Sequence, residues 1–279
     1  MFRTIVPALL LLFPMTLRAE DAPRFKFVKG QSLNYLIIQT TKVNETTIDE
    51  KTNKPVDQEY LTKHTVQRCW KVTEVDDKGV ATLEMSILSM KWEQKQPNGD
   101  LEEFDSAKPD DLNKNEMAKL IGQVLAVVQL DSTGKLIEVK ESKFGSKSRF
   151  VADLPFKMVL PETEFKEGQA WERTFTITLD PPQGTGEKYE ATQKYATAAP
   201  SNGLAVIGVT TAIKEMPAQA SDQIPLFPLL LEGKVYFHAE TGRYQGARMK
   251  LKKELMNHAG EGTKYTFDST YQEDFKIEK

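Results

Sequence analysis

Apolar and polar residues alternate with a period of two along most of the chain after residue 30, in segments rich in Thr, Val, Ile and aromatic side chains. Such alternation places one face of a pleated strand against a core and the other in water, so it predicts strands rather than helices. The predicted strands are 33–41, 65–75, 80–92, 124–130 and 135–140, followed by 170–179, 189–197, 204–213, 234–239, 244–254 and 263–277. Between them stand Asp76-Asp77-Lys78-Gly79, Asp131-Ser132-Thr133-Gly134, Ser201-Asn202-Gly203 and Glu240-Thr241-Gly242. A glycine closing such a turn supplies the positive φ of a bulged hairpin, which makes neighbouring strands antiparallel. A 3.6-residue rhythm occurs once, where Leu112, Met117, Leu120, Ile121 and Val124 predict a short helix within 111–125.

Landmarks recur in order. Phe27-Val28-Lys29-Gly30-Gln31 and Phe165-Lys166-Glu167-Gly168-Gln169 each open into a Thr-rich strand. The turn at Gly79 answers to that at Gly203, and the Gly122-to-Leu136 stretch answers to Gly233-to-Tyr244, with the spacing between matches shrinking from 138 to 124 to about 110 residues. The fold class expected is all-β, mostly antiparallel, as two sequence-related repeats forming curved sheets, a partly open barrel or a sandwich. The expected division is a signal peptide at 1–19, a first repeat at 20–155 and a second at 156–279. Two such sheets can shield each other's apolar faces, with the last strand, which has only a thin counterpart near 144–156, closing the assembly.

The first nineteen residues change the picture of compartment. Arg3, an apolar run from Ile5 to Leu17 and the small residue Ala19 follow the order of a secretory signal peptide. The run is broken by Pro7 and Pro14 and is shorter than the roughly 20 residues that span a bilayer, so no transmembrane segment is expected in the mature chain. Cleavage after Ala19 would remove two arginines and no acid, leaving 35 basic against 40 acidic side chains. The location implied is periplasmic or extracellular. No cysteine ends the signal segment to accept a lipid, and the single Cys69 lies beside Trp70 in an apolar stretch, as a buried structural thiol does.

Taken together, the signal peptide, the Phe-x-x-Gly-Gln opening, the Phe104-Asp105-Ser106 segment and the Gly122-to-Gly134 hairpin resemble a bacterial family of exported all-β proteins of unknown function. The resemblance covers nearly the whole mature chain but rests on turn and strand markers. It implies fold and export, and no activity.

Chemical motifs are sparse. His64, His238 and His258 have no zinc-ligand spacing, no Gly-x-Ser-x-Gly elbow occurs, and no glycine-rich loop opens a helix to cradle phosphate. The adjacent acids Asp76-Asp77, Glu102-Glu103 and Asp110-Asp111 sit at turns or a helix entry, where local bonding accounts for them. No catalytic residue, metal or cofactor is expected, and the near-balance of charge, at -3 for the whole chain, argues against nucleic acid. One segment departs from its surroundings: the apolar run 224–231 with Pro225 and Pro228. Exposed, it would touch a ligand or partner through Ile224, Leu226, Phe227, Leu229 and Leu230; buried, it would plug one end of the sheet. The expected function is a non-catalytic secreted or envelope protein binding an apolar or lipid-like small molecule. The alternatives are a structural module that binds another envelope protein, and an enzyme with scattered carboxylates.

Overall fold

The structure is a computed structural model that describes residues 22–276 apart from 109, 111–115 and 144. The strands are β1 (Ser32–Ile48), β2 (Pro55–Val75), β3 (Ala81–Lys95), β4 (Leu101–Asp105), β5 (Val124–Leu130) and β6 (Leu136–Ser142). They continue as β7 (Ala170–Leu179), β8 (Glu187–Ser201), β9 (Leu204–Ile213), β10 (Glu232–His238), β11 (Arg243–Met256) and β12 (Lys264–Lys276). Among the described residues, short helices are α1 (Arg149–Ala152) and α2 (Ala220–Gln223), the latter running into a 3-10 segment, Ile224–Leu229. All twelve strands belong to one antiparallel sheet that curves but does not close, in the order β6-β5-β3-β2-β1-β12-β11-β10-β9-β8-β7, with β4 on β3.

Eleven of the twelve strands lie where alternation predicts them. The missed one, β4, has only Phe104 facing inward, opposite Trp92, and charged neighbours leave no alternation to see. Of the helix expected at 111–125, residues 111–115 lie outside the described residues, Glu116–Leu120 form a 3-10 turn, and Val124 already belongs to β5. Residues 1–19 also lie outside them.

The sequential meander explains the strand order. β1 to β6 step outward from the middle of the sheet, residues 143–169 cross to the far edge, and β7 to β12 step back until β12 pairs with β1. The halves carry the same backbone bonding at their starts. The Gly30 and Gly168 N–H groups donate to the Val72 and Thr197 carbonyls, at 2.8 and 3.3 Å, and Val72 and Thr197 donate back to Gln31 and Gln169. Gly30 and Gly168 both have positive φ, which a glycine adopts without strain.

The inner face of the curved sheet is aromatic at one end. Phe156, from the crossing segment, packs against Phe25, Tyr35, Trp70 and Tyr244 with ring centres 5.3–6.1 Å apart. The chain before β1 seals that end by bonding both halves: Phe25 N–H donates to the Ser132 carbonyl at 2.7 Å and Lys26 N–H to the Gly242 carbonyl at 3.0 Å. The two hairpins must present glycine to it. A Cβ on Gly134 would stand 2.5 Å from the Phe25 ring, and one on Gly242 would stand 2.5 Å from the Arg24 carbonyl oxygen.

Candidate functional site

Register decides which side chains share the hollow of the sheet. Gln39 lies opposite Tyr271 and Tyr271 opposite Met249, so one row of the inner face runs across β1, β12 and β11. The neighbouring row holds Ile37, Glu273 and Ala247. Glu273 is fully buried and forms a short ion pair with Arg68 of β2, whose side chain is 17% exposed. Tyr244 and Tyr271 donate their hydroxyls to Glu273 Oε2 at 2.7 and 2.8 Å. A carboxylate cut off from water needs such partners, since an unpaired buried charge is strongly unfavourable. The environment answers in kind. Burial pulls the Arg68 guanidinium down, but Glu273, with Tyr271 and Asp153 adding to it, holds the group well above its ordinary value. Burial first, and then the Glu273 charge, push the Tyr35, Tyr244 and Tyr271 hydroxyls well above theirs.

Two segments lie over this face. The first contains α1 and the chain that follows it. Helix α1 packs on β7 and touches β6. Arg173 of β7 fixes it by donating to the Val151 and Ala152 carbonyls at 2.9 and 3.3 Å, the free carbonyls of its last turn. Trp171 Nε1 donates to the Val159 carbonyl at 2.7 Å, and Leu154, Phe156, Met158 and Leu160 point into the core. Between them Lys157 has φ +61°, unusual for a residue with a side chain. Its side chain is 12% exposed, and its ammonium pairs with Asp153 and lies 4.6 Å from the centre of the Tyr271 ring. Burial raises the Asp153 carboxyl, yet Lys157, with Arg149 and Arg68 behind it, holds the carboxyl below its ordinary value.

The second cover is the apolar run. Leu226 is buried against Ile177, Leu179 and Ala191; Phe227 is buried beside Phe267 at 5.8 Å between ring centres; Leu230 is buried in the main core. Ile224 is half-buried against that core. Of the five residues singled out from the sequence, these four face other parts of the chain, and the segment plugs the hollow. Leu229 alone lines an open space.

That space is a recess of about 140 Å³ between the two covers, floored by Gln39, Tyr271 and Met249 and also lined by Gln193, Lys157, Asp153, Arg149 and Leu229. Larger hollows, about 780 Å³ over β7–β9 and about 440 Å³ over β10–β12, have walls made from the strands and no covering segment. Sequence reading missed the recess because its charged residues, Arg149, Asp153 and Lys157, stand in a connection without strand alternation, and only the tertiary fold sets them over Gln39, Gln193, Met249 and Tyr271 of distant strands. Lys157 carried one faint signal, a lysine between Phe156 and Met158 in an otherwise apolar run.

The histidines stay apart. His64 is on β2, with Gln39 and Trp92 opposite; His238 ends β10; His258 is buried in the β11–β12 turn with Nε2 2.8 Å from Glu45 Oε1. Among the described residues no group of three His, Cys, Asp or Glu is placed to hold a metal ion, and no helix is long and apolar enough to cross a membrane. Cys69 is buried on β2.

No protein-family model and no curated protein matches the chain. Among solved structures, it is similar to one described by its lipid-protein interactions in lipovitellin, at 10% identity and a TM-score of 0.47, over 90% of this chain but only 26% of that one. An outer membrane channel from Pseudomonas putida F1 aligns over 93% of this chain and 100% of its own, at 6% identity and a TM-score of 0.26. A beta-barrel-like protein of a domain of unknown function from Brucella abortus aligns over 90% and 100%, at 9% identity and a TM-score of 0.25. These are likenesses among all-β proteins, and at such scores they carry no argument about ligand or activity.

Proposed function

We propose that this chain is an exported, non-catalytic β protein, built from two copies of one unit (20–155 and 156–279), that holds a small ligand in the hollow of its curved sheet. The reading rests chiefly on the covered recess of about 140 Å³, where side chains from β1, β8, β11, β12 and both covering segments converge. The recess sets the polar groups of Lys157, Asp153, Arg149, Gln39 and Gln193 beside apolar side chains, and concave sites that combine the two are where proteins take small molecules. Its volume lies below the roughly 300 Å³ of a drug-sized pocket, so the ligand is smaller than a membrane lipid. Export is supported by the charge, apolar run and small residue of positions 1–19, and duplication by the matched bonding at Gly30 and Gly168.

The mature protein isolated from the envelope or culture medium of its own host, extracted with organic solvent and analysed by mass spectrometry, should release one small molecule per chain. A chain that is repeatedly empty, while still co-purifying with a second envelope protein, would instead favour the structural module.

A further inference from the structure

We infer that the recess selects an amphipathic monoanion, a small carboxylate with a short unbranched apolar body, and that Lys157 is the residue that meets its charge. The inference deepens the ligand-binding reading and depends on it. Three charged groups line the space: Arg149 and Lys157 are cationic and Asp153 is anionic, so the lining carries one net positive charge. The opposite charges behind the floor, Arg68 and Glu273, neutralise each other as a pair. Lys157 and Asp153 balance each other as a pair, so the net positive charge is that of Arg149, and the field at the mouth favours an entering anion over an entering cation.

The geometry makes Lys157 the contact. Its left-handed backbone and its bond to Asp153 keep the ammonium at the inner wall, and the Tyr271 ring supports it on one side. An ammonium has three N–H donors, and one Asp153 oxygen takes one of them. Arg149 is exposed at the rim, where it attracts and orients an anion rather than enclosing it. The wall made by the second cover is unlike this one: Pro228, Leu229 and Leu231 are apolar, as are Met249 on the floor and Leu154 beside Asp153. A carboxylate at Lys157 would direct its tail along that wall. The volume has room for roughly six to ten non-hydrogen atoms, the size of hexanoate.

Isothermal titration of the mature protein, first stripped with organic solvent and refolded to its native spectrum, with hexanoate, 1-hexanol and inorganic phosphate tests each half of the claim. Hexanoate should bind one to one, with hexanol and phosphate each at least about tenfold weaker. Lys157→Gln should abolish hexanoate binding. Because that change also breaks a contact with the core, Arg149→Gln serves as the second variant: it should weaken hexanoate several-fold while leaving the thermal midpoint unmoved. Hexanol binding as well as hexanoate, phosphate binding as well as hexanoate, or wild-type hexanoate affinity in Lys157→Gln would each overturn the inference. A neutral or cationic molecule in the host extract would overturn it while leaving the binding function standing. An empty extract together with no hexanoate binding would remove both.

Discussion

The two halves of the chain meet at two places, and the joints are built from different materials. Where β12 meets β1, thirteen residues pair in continuous register, and the buried Arg68–Glu273 pair ties β2 to β12 across β1. Where β6 faces β7, no strand stands between them among the described residues; α1 and residues 153–160 fill the opening with side chains and with bonds from Arg173 and Trp171. A backbone ladder fixes position residue by residue and leaves little space. Side-chain filling fixes only the points that touch, so space remains between them, and the recess lies against this second joint. Under the proposed duplication, β12 has no strand counterpart in the first unit, and the position it would have taken is the one that stays open.

The largest expected effects come from truncating one anchor at each joint. Arg68→Met should cost about 3–5 kcal/mol in urea unfolding, because it strands the Glu273 carboxylate in the core. Replacing both members, Arg68→Met with Glu273→Leu, should restore part of that loss, since a buried pair is often dispensable once both charges are gone. Phe156→Ala at the other joint should cost about 3–5 kcal/mol as well. The two differ in where they loosen the chain. Hydrogen exchange should show protection collapsing in 149–160 for Phe156→Ala while β1 and β12 stay protected, and equal loss at both joints would erase the distinction. Trp171→Phe removes one partly buried hydrogen bond and most of the ring's packing remains, so about 1 kcal/mol is expected.

Acid and base should separate the joints more gently. Tyr35, Tyr244 and Tyr271 have raised hydroxyl values in the folded chain. Their contribution is therefore fully present below pH 10 and is lost as pH rises through the folded values. In a phenolate absorbance titration these three should ionise only as the β1–β12 joint unfolds; ionisation near pH 10 with the fold intact would contradict their burial. Asp153 is shifted the other way. Its lowered value means a contribution present above the ordinary carboxyl value near 3.8 and lost as pH falls below it. Protection factors in 149–157 should then drop as pH falls below 3.8, with those of β1 and β12 unchanged. This is the smallest effect, because the Asp153 side chain is 37% exposed and water screens its partner.

Much of the fold was legible because strands write themselves in alternation. Val124–Leu130 and Leu204–Ile213 coincide with their predicted spans, and the turns at Gly79, Gly134, Gly203 and Gly242 all adopt the positive φ that their glycines promised. β1 and β2 reach well past their predicted ends, to Ile48 and back to Pro55, because the outer parts of that hairpin are mostly polar and their few apolar residues, such as Val43, Val56 and Leu61, are too scattered to mark a buried face. The run 224–231 was legible as an oddity, and its composition allowed either exposure or burial. Burial followed from the sheet, which presents Ile177, Leu179, Ala191 and Phe267 as surfaces for it to cover.

The sequence by itself determined an exported-looking, antiparallel β chain with glycine-closed hairpins and two similarly punctuated halves, because period, turn chemistry and signal-peptide order are local properties. Only the tertiary structure decided that Glu273 would be a buried charge with Arg68 and two tyrosines around it, and that Lys157 would stand over Tyr271 beside a recess. Those choices depend on pairing between positions more than 100 residues apart and on which end of a strand faces inward, and nothing in the local pattern encodes either.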